Sequence, residues 1–138
     1  MNAKFIVGYD NFLAHYEAGY WMADLLTMKY GEPKGKIGQI WGPGGHWSVE
    51  RNNGFMEAMK NFPDIGNCAL SHGEYHRDSG MAGAEDLLTV NPDLDIIYGE
   101  NEEMGLGAAA GALAQGIDLG DFDSKDGMIV IGANRIHE

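Results

Sequence analysis

Arg51, Asn101, Tyr75, Asn134, Asp10 and Trp47 are the side chains whose types and positions could hold a small polar ligand. Arginine can clasp two adjacent hydroxyls, or a carboxylate, with parallel donors. Asparagine presents a donor and an acceptor together, which matches a hydroxyl group that is both. Tyrosine and tryptophan can cover the apolar C–H face of a ring. These residues follow apolar runs that end in polar or glycine-rich segments. Asp10 and Asn11 follow residues 4–9, the segment 42–51 follows residues 37–41, and Glu74 and Tyr75 follow residues 68–70. Asn101 follows residues 94–99, and Asn134 follows residues 128–131. If the runs are parallel strands, their exits open on one edge, and a rim of such groups suits a polyol better than a nucleotide.

Plainer roles exist for each of them. Arg51 could be a solvated arginine paired with Glu50, and Asn101 could cap a helix whose Glu102 and Glu103 favour the helix dipole. Tyr75 could anchor a loop, Trp47 could lie over the sheet edge, and Asp10 with Asn11 could form an Asx turn.

Catalytic arrangements are not found. The loop Gly42-Pro43-Gly44-Gly45 lacks the Lys-Ser/Thr of a phosphate loop and the spacing of a dinucleotide fingerprint. Gly105 and Gly107 fall inside a helix, where they permit close packing. There is no Gly-x-Ser-x-Gly elbow, and His72 and His76 leave any metal set incomplete. Glu100, Glu102 and Glu103 read as a solvated helix start. No catalytic residue, metal or cofactor is expected, although a small α/β enzyme remains the reading from a different class.

The elements that must position the rim follow from periodicity and punctuation. Apolar runs at 4–9, 37–41, 68–70, 94–99 and 128–131 read as strands. Helical spacing covers 13–30, stopped by Gly31 and Pro33, and 48–62, with Ser48 as the expected N-cap and Arg51 in the first turn. Further helices are expected at about 79–90, stopped by Asn91-Pro92, and at 104–115. Such alternation predicts an α/β fold with a doubly wound parallel sheet of about five strands in three α/β/α layers. No linker or repeat interrupts it, so residues 1–138 are read as a single α/β domain.

Composition agrees. A chain of 138 residues with 44% hydrophobic and 22% charged residues can bury a core. The net charge of -12 argues against nucleic acid and anionic membrane, which want a basic face. Lone Cys68 excludes an internal disulfide, and no stretch has the length of a membrane helix or a secretory leader.

Several stretches, in order, match a known pattern. They are Gly8-Tyr9-Asp10-Asn11 with Gly19, Gly42-Pro43 through Arg51-Asn52-Asn53-Gly54-Phe55, and Asp86-Leu87-Leu88. Asn91-Pro92-Asp93-Leu94-Asp95, Glu100-Asn101-Glu102-Glu103-Met104-Gly105-Leu106-Gly107-Ala108 and Val130-Ile131-Gly132 complete it. With these the chain resembles the type I periplasmic sugar-binding proteins of ABC transporters, the ribose-binding-like group.

The resemblance implies one lobe of a receptor that closes over its ligand like a hinge. It implies that Arg51 and Asn101 hydrogen-bond sugar hydroxyls and that Tyr75 takes the stacking position. Asn134 stands where the family carries an aspartate, and Trp47 where it carries a small residue; both departures bear on which sugar fits. The expected partners are a sugar or polyol and, for the full-length receptor, an ABC permease or membrane sensor. The expected location is periplasmic or extracellular. Signalling receptors and LacI-like regulators share the fold and form the alternative. The match covers about half of a family member, so weak binding of common sugars and a symmetric homodimer through exposed surface are expected.

Overall fold

The computed structural model describes residues 10–123 and 125–133. Within them the order is α1 (Asn11–Tyr30), β1 (Gly35–Trp41), α2 (His46–Met59), β2 (Ile65–His72), α3 (Arg77–Val90), β3 (Ile96–Gly99), α4 (Glu102–Ala114) and β4 (Ile129–Gly132). The four strands among the described residues pair in the order β2-β1-β3-β4, all parallel. The strand expected at 4–9 lies outside the described residues, as does Asn134.

Helices cover both faces, as the near-continuous apolar character of the strands requires. On one face Met22, Leu26, Phe55 and Ala58 of α1 and α2 pack on Ile37, Ile96 and Tyr98. On the other Ala84, Leu87, Met104 and Ala108 of α3 and α4 pack on Ile40 and Ile97. Ile96, Ile97 and Tyr98 alternate between the faces, as successive strand side chains must. The expected α/β/α sandwich is therefore present.

Both ends of α1 have an identifiable cause. Asp10 caps α1, its carboxylate accepting from Leu13 N at 2.9 Å, and Gly31 at φ 80° closes it with a bond to Thr27 O. The expected Ser48 cap is corrected: α2 starts at His46 after Gly45, and Ser48 is buried inside the helix. The same shift moves Arg51 out of the first turn, so its cost against the helix dipole falls away. The glycines of α4 serve packing, as expected. A Cβ on Gly105 would press on the Gly132 backbone, and one on Gly107 would overlap the Arg77 carbonyl of α3.

Candidate functional site

The chain leaves β1 for β2 through α2, on one face, and leaves β3 for β4 through α4, on the other. The loops after the neighbouring strands β1 and β3 therefore diverge. Such a divergence opens a crevice at the carboxyl ends of the strands, where ligands of open α/β sheets sit. Register brings those ends level: Ile40 pairs with Gly99, Gly99 with Gly132, and Trp41 with His72.

Arg51 enters this crevice from α2 and is only 7% exposed. It is not the solvated partner of Glu50, which pairs with His46 instead. Its Nε donates to Asn11 Oδ1 at 3.1 Å, and its guanidinium carbon lies 5.3 Å from the Tyr75 ring centroid. Cation and ring at this separation attract through the ring quadrupole. The terminal guanidinium nitrogens have no hydrogen-bond partner among the described residues.

Glu100 corrects a second expectation. It is 3% exposed, not a solvated helix start. Its Oε2 accepts from Gly42 N at 2.9 Å and from Ser48 Oγ at 3.3 Å, and Ser48 Oγ meets the Tyr75 hydroxyl at 2.5 Å. Burial pushes the Glu100 carboxyl up to about 7, against the opposing pull of the Gly42 amide, the Arg51 charge and the Ser48 hydroxyl. Gly42 is required here because a Cβ would overlap the Tyr75 ring.

Tyr75 holds a left-handed backbone at φ 64°, unusual for a bulky residue and costing on the order of 1 kcal/mol. The turn is tied down from several sides. Gly73 N donates to Trp41 O, Glu74 N to Ser79 Oγ at 2.8 Å, and Asn101 Nδ2 to Tyr75 O at 2.9 Å. Asn101 also caps α4, its Oδ1 accepting from Met104 N at 2.9 Å. Capping and a rim contact thus coexist in one side chain.

The remaining expected site residues sit further out. Asp10 is an exposed helix cap, and its neighbour Asn11 is the one that touches Arg51. Trp47 is 64% exposed on the first turn of α2. Asn134 lies outside the described residues. His72 stacks on Trp41 and His76 caps α3, and no group of three or more metal-ligating side chains gathers among the described residues.

Sequence reasoning missed Ser48 and Glu100 as rim groups, and it passed over His15. His15 is fully buried, its Nδ1 bonded to the Tyr98 hydroxyl and its Nε2 without a partner. Burial first, and then the Arg51 charge, lower it to about 3, so it stays neutral. The missed signal for Glu100 was its place directly after the apolar residues 96–99, before the helix had begun.

Comparison with known proteins places the chain in a family. The profile of the family described as periplasmic binding protein domain matches residues 2–135. The ribose import binding protein of Salmonella typhimurium is 31% identical over 100 residues, 72% of this chain and 32% of that protein. The chain thus spans about a third of the length of the curated relatives it matches. A crystal structure from Mycobacterium smegmatis in complex with beta-D-fucofuranose superposes with a TM-score of 0.74 at 29% identity, covering 80% of this chain and 36% of that one. The fructose-binding periplasmic domain of a hybrid two-component system gives 0.73 at 28% identity, covering 80% and 35%.

Proposed function

The chain belongs to the periplasmic binding protein domain family, and we propose that it forms the sugar- or polyol-holding lobe of a ribose-binding-like receptor. It binds without chemistry. Arg51 directs its terminal nitrogens to ligand hydroxyls, Asn101 adds its remaining amide hydrogen, and Tyr75 offers its ring to the C–H face. Trp47, Asp10 and Asn134 are the further residues assigned to tuning which sugar fits. The observation that carries this reading is the convergence of Arg51, Tyr75 and Asn101 where the loops of β1 and β3 part.

The longer receptor closes over the ligand outside the cytoplasm and hands it to an ABC permease. Relatives about three times the matched length, named for sugar import, support that step. Sensing is the second reading, supported by the likeness to a periplasmic domain of a two-component system.

NMR titration of the chain with ribose, allose, fructose and arabinose tests the site. Millimolar or weaker binding is expected, because one wall of a cleft buries little of a ligand. Fast-exchange shifts should centre on the Arg51 side chain, Tyr75 and Asn101. Shifts scattered over the surface, or none up to the solubility of the sugars, would overturn the assignment.

A further inference from the structure

We propose that Glu100 is the positioning residue of this site: through Ser48 it sets the Tyr75 ring against the Arg51 guanidinium, and ligand affinity follows its protonation. The inference rests on the sugar-binding reading for its second half only.

The geometry is a chain of contacts from a buried carboxylate to the ligand-facing pair. Glu100 Oε2 takes hydrogens from Gly42 N and Ser48 Oγ. With its hydrogen committed to Glu100, Ser48 Oγ is left to accept from the Tyr75 hydroxyl 2.5 Å away. The ring so fixed lies 5.3 Å from the Arg51 guanidinium carbon. Gly42, the first residue past β1, allows the ring to come this close, and the same residue's amide binds Glu100. One carboxylate therefore holds both the ring and the backbone that makes room for it.

Ionised Glu100 adds its charge to both bonds, the closer one from Gly42 N at 2.9 Å and the longer one from Ser48 Oγ at 3.3 Å, and charge assistance strengthens a hydrogen bond. Protonation removes that assistance, frees the Ser48 hydroxyl to turn, and leaves Arg51 without the nearby negative charge. The carboxyl changes state at about 7, within reach of ordinary environments. The charged and titratable groups on the surrounding elements include His46, Glu50 and Arg51 of α2, His72 at the end of β2, Glu74, Tyr75 and His76 in the loop after it, His15 of α1, and Glu102 and Glu103 of α4. His15 is held neutral by burial and does not titrate in this range. His46 and His76 pair with Glu50 and Glu74 at the surface, and His72, at the end of β2, serves as the control.

The test follows the Tyr75 ring and Arg51 Nε resonances of the free chain by NMR from about pH 5 to 9, bracketing the Glu100 transition. Parent, Glu100→Gln and His72→Gln chains are compared. Glutamine keeps a side-chain acceptor for Gly42 N and Ser48 Oγ but carries no charge. Expected is a common midpoint for both resonances in the parent and in His72→Gln, absent from Glu100→Gln. Persistence of the midpoint in Glu100→Gln, or its absence from the parent, overturns the proposal. Sugar titrations at the two pH extremes then read the second half. Affinity should fall about fivefold below the midpoint in the parent, the difference between charge-assisted and neutral bonds, and stay level in Glu100→Gln. If sugars bind and neither resonance titrates, only the positioning role fails. If the resonances titrate and no sugar binds, only the sugar assignment fails.

Discussion

The guanidinium of Arg51 and the ring of Tyr75 meet at 5.3 Å, although one belongs to a helix and the other to a strained turn after the next strand. Asn11 holds the cation by Nε, and Ser48 holds the ring by its hydroxyl. Neither residue could keep this posture alone. Each group is thus held by a neighbour of its own.

Gly42→Ala should disrupt that pair without touching either member. The new Cβ would overlap the Tyr75 ring, so the ring must leave its place or the strand end must shift. Urea unfolding should show a loss of about 1–3 kcal/mol, the usual cost of overpacking. Sugar-induced shifts at Tyr75 should disappear.

Asn101 carries two roles that substitution can separate. Asn101→Asp keeps the oxygen that caps α4 but loses the donor to Tyr75 O. Asn101→Ala loses both. Aspartate should therefore cost about 1 kcal/mol for the lost donor, and alanine about 2 kcal/mol for the donor and the cap together. Both should weaken sugar binding; equal stability losses would contradict the separation.

Stability should decline as pH rises through neutrality because of Glu100. Burial lifts its folded-state value from 4.5 to about 7, so the folded chain keeps a proton that the unfolded chain releases in that window. The contribution is full below 4.5 and is lost as pH passes about 7, a difference of up to about 3 kcal/mol at 1.36 kcal/mol per unit. In Glu100→Gln, urea midpoints measured across the window should lose this downward slope.

His15 acts in the opposite direction. Its folded-state value near 3, against 6.5 unfolded, gives stability that is full above 6.5 and is lost as pH falls toward 3. His15→Phe removes both the titration and the unpartnered Nε2, while depriving the Tyr98 hydroxyl of its partner. At neutral pH the variant should lie within about 1 kcal/mol of the parent, since the two changes offset. Its acid unfolding midpoint, followed by circular dichroism, should fall by about one pH unit.

Sequence by itself determined the alternation of parallel strands and helices, the edge on which Arg51, Tyr75 and Asn101 gather, and the family. Those features are written locally: apolar runs stand beside glycine, proline and asparagine stops, and the motifs keep their order along the chain. The tertiary structure decided how the rim is built. Glu100 looked like a solvated helix start because its acidic neighbours Glu102 and Glu103 follow it, yet β1 brings Gly42 against it from 58 positions away. Ser48 looked like a helix cap until the helix began earlier and turned it inward. Arg51 looked free to pair with Glu50 until α1 placed Asn11 beside it. Burial and charge state depend on which distant segments close over a residue, and no local pattern records that.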